Sequence, residues 1–128
     1  MDSPLEARPK KRILIADDDA HVRGMMRESL KRDHDILEAD DGLKAMRIIE
    51  TTPVDLMITD MCMPEKDGIE TIRALRRTRP ELKILAVSGA FDGVFLTVAR
   101  ALGANAILQK PFDPAELVRC VQRLLPAA

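Results

Sequence analysis

The chain has 128 residues, of which 46% are hydrophobic and 32% charged, with a formal net charge of −1 at pH 7. This length and balance predict one globular domain with a buried core and exclude a disordered chain; the near-zero net charge gives no global reason to expect nucleic acid or membrane surfaces as partners. With no Trp, no Tyr and aromatics at 2%, a base-stacking platform for single-stranded nucleic acid is excluded too.

Residues 1–10 are polar, contain Pro4 and Pro9, and run into the basic triplet Lys10–Arg12. They predict a flexible N-terminal tail ahead of a single domain over 11–128. The tail lacks the apolar centre of a secretory signal, and no apolar run approaches the roughly 18 residues of a membrane span. Cys62 and Cys120 form neither a metal-type pair nor a disulfide framework. Both are read as reduced thiols in a cytoplasmic protein.

Five short aliphatic runs follow, at Ile13–Ala16, Ile36–Ala39, Val54–Thr59, Ile84–Ser88 and Ala106–Gln109. Each is too short for a helix and is bounded by turn or charged residues, so each predicts a strand. Helical spacing fills the gaps. Val22, Met25, Met26 and Leu30 form one stripe, Leu43, Met46 and Ile49 a second, and Ile69, Ile72 and Leu75 a third. Phe91, Val94, Phe95, Val98 and Leu102 form the fourth, and Leu117, Val118, Val121, Leu124 and Leu125 the fifth. Asp113-Pro114-Ala115-Glu116 predicts the start of the last helix, with Asp113 as N-cap, Pro114 in the first turn and Glu116 reaching back. Strands alternating with helices predict βαβ units, a parallel sheet covered on both faces, and a doubly wound α/β domain of flavodoxin-like type.

In such a sheet, ligands bind at the carboxyl ends of the strands. The first strand delivers Asp17 and Asp18 to that edge, the third Asp60, the fourth Ser88 and the fifth Lys110. Clustered carboxylates do not all stay ionised without a cation. Hard oxygen ligands without suitably placed His or Cys predict Mg²⁺, with Mn²⁺ as a substitute. Asp19 reads as a residue of the helix start, where the helix dipole favours an anion.

The stretches Ile13-Leu-Ile-Ala-Asp-Asp-Asp19, Ile58-Thr-Asp-Met-Cys-Met-Pro-Glu-Lys-Asp-Gly68, Ile84-Leu-Ala-Val-Ser-Gly89 and Ile107-Leu-Gln-Lys-Pro-Phe112 resemble the receiver domain of two-component response regulators, the CheY-like family. The resemblance runs from about Arg12 to Leu125. It implies a five-stranded sheet in the order 2-1-3-4-5 and a stand-alone response regulator. Asp60 would be the phosphoacceptor, charged by a sensor histidine kinase or a histidine phosphotransfer protein. The resemblance makes Asp17 and Asp18 the acidic pair that holds Mg²⁺ together with Asp60, and Cys62 a further ligand through its backbone carbonyl. Ser88 would be the switch hydroxyl, Lys110 the contact to the phosphoryl group, and Lys110–Pro111 a cis peptide. Where many family members carry Tyr or Phe, three residues before the lysine, this chain has Ile107. The aromatic version of the coupling to Ser88 is therefore absent.

The fourth predicted helix leaves Leu96, Thr97 and Ala101 as a nearly uncharged face beside Arg100. This predicts either extra burial or a surface for an unknown downstream target or a weak dimer, formed with the fifth strand and fifth helix; otherwise the chain is a monomer. Arg73, Arg76, Arg77 and Arg79 around the third helix predict a solvated face, since a DNA reader needs a recognition helix and a wider basic footprint. By resemblance, the first helix, with Met25 and Met26, helps form the kinase-docking surface. Two other readings stand beside this one. A Mg²⁺-dependent phosphatase of haloacid-dehalogenase type would need a second Asp two residues after the first, where Cys62 stands. A degenerate receiver would bind partners without phosphorylation.

Overall fold

The structure, a computed structural model, describes residues 10–61, 68–89 and 94–126. Residues 1–9 of the predicted tail, Phe91 of the fourth stripe and the side chain of Phe95 lie outside what is described. The elements are β1 (Arg12–Ala16), α1 (Ala20–Leu30), β2 (Asp35–Ala39), α2 (Gly42–Thr51), β3 (Leu56–Asp60), α3 (Gly68–Thr78), β4 (Lys83–Ser88), α4 (Val94–Leu102), β5 (Ala106–Gln109) and α5 (Pro114–Leu124). The sheet is wholly parallel, in the order β2-β1-β3-β4-β5. The strand order and alternation agree with the sequence reading.

Side chains of a strand point alternately to the two faces, and β1 shows what that does here. Leu14 and Ala16 enter one core with Ala45, Ile49, Ile72, Leu75, Leu96 and Ala99, from α2, α3 and α4. Ile13 and Ile15 enter the other with Met26, Leu30, Leu117 and Val121, from α1 and α5. Both faces of β3 are covered, and all five of its residues are buried. That strand begins at Leu56 rather than Val54, and Asp55 just before it accepts the Arg12 amide on Oδ2 at 2.8 Å. At its other end, pairing with Val87 makes Asp60 the last residue of β3.

The starts of α1, α2 and α5 are capped. Asp19 Oδ1 accepts the amides of His21 and Val22 at 2.9 and 3.3 Å. Asp113 and Glu116 form the predicted reciprocal capping box, with Asp113 Oδ1 accepting the Glu116 amide at 2.9 Å. Asp41 caps α2, accepting the Lys44 amide at 2.8 Å.

Two apolar stripes are turned from their predicted phase. In α2 the buried positions are Gly42, Ala45 and Ile49, and Leu43 is 42% exposed. In α4 the buried residues are Leu96 and Ala99, whereas Val94 and Val98 are 59% and 36% exposed. At about 100° per residue, Val94 and Val98 each lie about 200° around the helix from Leu96. The small Ala99 faces the core, so the outward face of α4 carries Val94, Thr97, Val98, Arg100 and Ala101. Leu96 is core, not surface.

The arginines around α3 also divide. Arg73 and Arg77 are exposed, but Arg76 is half-buried and acts as a clamp. Its Nε donates to the Gly103 carbonyl at 2.7 Å, its Nη1 to the Leu82 carbonyl at 2.7 Å, and its Nη2 to Asn105 Oδ1. The same Asn105 oxygen accepts the Ile84 amide at 2.8 Å. The end of α3, the start of β4 and the turn after α4 thus meet on one guanidinium. Burial lowers its pKa from the ordinary guanidinium value.

Candidate functional site

Every strand that contributes to the pocket ends at the same edge of the sheet, and the register sets what reaches it. Ala16 pairs with Thr59 and Asp60 with Val87, so Asp17, Asp60 and Ser88 sit at neighbouring strand ends. Lys110 follows Gln109, which pairs with Ser88. The Lys110 amide donates to the Ser88 carbonyl at 3.0 Å, and the Lys110–Pro111 bond is cis. Gly89 lets the chain leave β4 over this residue: a Cβ there would lie 3.1 Å from Lys110 Cβ.

The ammonium of Lys110 reaches back into the pocket. Its Nζ lies 3.0 Å from Asp17 Oδ2 and 3.1 Å from Asp60 Oδ2. Asp17 is fully buried and Asp60 nearly so, and Asp18 is exposed at the mouth. Each of the three offers a carboxylate oxygen, all within 4.8 Å of one another. Asp17 is also fixed through Oδ1, which accepts the Asp19 amide at 2.9 Å.

The charges do not balance. Among the described residues, three carboxylates face one ammonium, a formal charge of −2 in a place where two of the carboxylates are out of water. Burial pushes the Asp17 carboxyl above its ordinary 3.8, and the charge of Asp60 adds to the rise, against the Asp19 amide and the Lys110 ammonium, which lower it. Burial pulls the Lys110 ammonium down, but hydrogen bonds and charge from Asp17 and Asp60 outweigh it, and its pKa is raised from 10.5. One lysine does not relieve both aspartates. A hard divalent cation fits the donor set: oxygens only, close together, and one carboxylate open to water.

Ser88 is buried at the end of β4. Ile107 is half-buried in β5 and packs against the core that holds Leu96 and Ala99. Cys62, predicted to offer its backbone carbonyl, lies outside the described residues, as do Glu65 and Ala90, which flank the pocket in sequence. Cys120 is buried in α5, away from the chemistry.

Three further residues shape the site. Gly68 packs on the main chain of Asp60 and Met61, and its amide donates to the Met61 carbonyl at 3.2 Å. The Asp-Gly ending of the second motif stretch, Ile58–Gly68, signalled it. Arg23 and Glu38 hold the turn after β1; nothing in the motifs marks them.

An acidic pocket with a lysine from the last strand, at the carboxyl edge of a 2-1-3-4-5 parallel sheet, defines the class. The response regulator receiver domain family matches residues 13–122, and the chain belongs to it. The haloacid-dehalogenase reading falls with that membership. The chain is 36% identical over 120 residues to the response regulator receiver protein CpdR of Brucella abortus, with 92% of this chain and 99% of that protein covered. It is 34% identical over 114 residues to the DNA-binding transcriptional regulator NtrC of Azospirillum brasilense, of which it spans 24%. Among solved structures, the chemotaxis response regulator CheY4 of Vibrio cholerae superposes with a TM-score of 0.83 at 28% identity, over 91% of this chain and 99% of that one. No helix among the described residues is long and apolar enough to cross a membrane.

Proposed function

We propose that the chain is a single-domain response regulator in which Asp60 accepts a phosphoryl group from the phosphohistidine of a sensor kinase or phosphotransfer protein. The observation that carries this reading is the shared ammonium: one Lys110 Nζ within 3.1 Å of both Asp17 and Asp60, beside a third carboxylate, Asp18, within 4.8 Å. Such a donor set would suit a divalent cation, whose charge would offset that of the phosphoryl oxygens.

The step is an in-line displacement. An oxygen of Asp60 forms a bond to phosphorus as the phosphorus–nitrogen bond of the donor breaks, and the imidazole leaves with a proton from water. Asp17, Asp18 and Asp60 would hold Mg²⁺, or Mn²⁺ in its place, and by the family resemblance the backbone carbonyl of Cys62 would join them; the ion would supply positive charge to the transferring oxygens. Lys110 moves from carboxylate oxygen to phosphoryl oxygen, a short shift for a flexible four-carbon stem. Ser88 donates its hydroxyl to the new phosphate and draws the chain after β4 with it, which biases the position of α4. Ile107, already packed under α4, follows by repacking rather than by an aromatic rotation.

The outward face of α4, with Val94, Thr97, Val98 and Ala101, together with β5 and α5, is the surface offered to a downstream protein or a second copy. The protein works in the cytoplasm, where its phosphodonors are. Intact mass after incubation with Mg²⁺ and acetyl phosphate tests the reading. One phosphate adduct, absent in Asp60→Asn and in a magnesium-free sample, is expected. No adduct, even with a histidine kinase supplied, overturns it and leaves a receiver that binds without phosphorylation.

A further inference from the structure

Asp17 and Asp18 are joined by one peptide plane, and the direction in which Asp18 leaves β1 depends on how that plane is turned. Its oxygen, the Asp17 carbonyl, accepts from Nη1 of Arg23 at 2.8 Å. The same guanidinium donates through Nε to Glu38 Oε1 at 3.2 Å, and Glu38 Oε2 takes Nη1 of Arg27 at 3.0 Å. Glu38 belongs to β2, in register with Ile15. The next residue, Ala39, accepts the Asp17 amide on its carbonyl at 3.1 Å. Both main-chain groups of Asp17 are therefore tied to β2, one directly and one through Arg23.

This matters most for Asp18. It is exposed, and an exposed carboxylate loses conformational freedom when it meets an ion. A fixed peptide plane removes part of that loss beforehand. The Arg23 side chain is only 19% exposed, and its fork serves two acceptors that a single ammonium does not reach in the same geometry.

We propose that Arg23, clamped by Glu38, is a positioning residue that sets the Asp17–Asp18 peptide plane and with it the affinity of the pocket for a divalent cation. The inference rests on the reading of that pocket as a cation site. Arg23 acts through the backbone of Asp17 and does not touch the ion. A purely electrostatic role makes the opposite forecast, because Lys would then replace it.

Mn²⁺ binding to the full chain, followed by electron paramagnetic resonance, with Mg²⁺ as competitor, tests this. The parent is expected to bind one ion and Asp17→Asn none. Arg23→Lys and Glu38→Ala are each expected to weaken binding about tenfold, the lower end of what outer partners of a metal site contribute. The double variant is expected to bind no more weakly than either single one, since both act through one plane. Glu38→Gln, which keeps an acceptor for Arg23, retains most of the affinity and guards against a variant that fails to fold; melts in EDTA check that directly. Parent-like affinity in Arg23→Lys and Glu38→Ala, beside a silent Asp17→Asn, overturns the positioning role and leaves the cation site standing. So do losses that simply add in the double variant. A parent that binds no ion overturns the cation site, and the inference with it.

Discussion

The α-carbon of Gly68 rests on the main chain of Asp60: a methyl group there would lie 2.8 Å from the Asp60 carbonyl oxygen and 2.7 Å from the Met61 α-carbon. Both neighbours are backbone, and neither yields cheaply. In an open helix Gly→Ala is stabilising by roughly 0.5–1 kcal/mol. Here Gly68→Ala is expected to destabilise by about 1–3 kcal/mol, as overpacking does, and to slow phosphorylation of Asp60. Urea unfolding and the acetyl phosphate reaction read the two effects.

The buried carboxylate of Asp17 gives the metal-free protein a pH dependence. Its pKa is raised above 3.8, first by burial, so the folded chain holds this proton more tightly than the unfolded chain does. Stability in EDTA therefore falls as pH rises from about 3.8 through the raised value. In Asp17→Asn this contribution disappears, and at neutral pH its melting temperature in EDTA is expected to equal or exceed that of the parent. Added Mg²⁺ raises the melting temperature of the parent and leaves that of Asp17→Asn unmoved. Calorimetric scans between pH 4 and 8, with and without the ion, distinguish the two proteins.

Lys110 works in the other direction. Its pKa is raised from 10.5, because the two aspartates outweigh the cost of burial. Its stabilisation is complete below that value and is lost as pH climbs through the raised one. Lys110→Met leaves Asp17 and Asp60 facing each other at neutral pH. The variant is expected to melt lower than the parent in EDTA and to recover more of its melting temperature when Mg²⁺ is added.

Arg76 offers a test of the clamp at the far end of α4. Its hydrogen bonds to the carbonyls of Gly103 and Leu82 are charge-assisted and partly shielded from water. Arg76→Ala is expected to cost about 3 kcal/mol in urea unfolding. Arg76→Lys restores the charge without the fork and recovers little of that loss.

The phase of α4 is checked by a pair of truncations. Leu96 is 3% exposed, and Leu96→Ala is expected to cost about 2–5 kcal/mol. Val98→Ala, on the outward face, is expected to change stability by no more than about 0.5 kcal/mol. If that face carries the partner, Val98→Glu weakens association and leaves the melting temperature alone.

The fold was legible because Ile-Leu-Ile-Ala and Leu-Met-Ile-Thr are too short for helices and are bounded by charged residues, and the capping residues Asp19 and Asp113 mark where helices begin. Asp17, Asp60 and Lys110 were legible for a similar reason: charged residues that end apolar strands meet at one edge. What stayed hidden has a physical cause. With Val94, Leu96, Val98 and Ala99 all apolar, periodicity alone did not decide which side of α4 faces the sheet, and the small Ala99 settled it in favour of close approach. Arg76 read as a surface charge because its partners are main-chain carbonyls, which every residue possesses. Arg23 was invisible on the same ground, since its partner in the turn is the carbonyl of Asp17 rather than its carboxylate.

The ion pair between Lys110 and Asp17 spans 93 positions of sequence, and that separation bears on how the domain comes to exist. Asp17, Asp18 and Asp60 leave the ribosome well before their counter-charge does. Without β5, the carboxylates of Asp17 and Asp60 lack the ammonium of Lys110. The last strand therefore delivers more than an edge to the sheet. It brings a positive charge to carboxylates that the first and third strands have already gathered, and so offsets part of their repulsion.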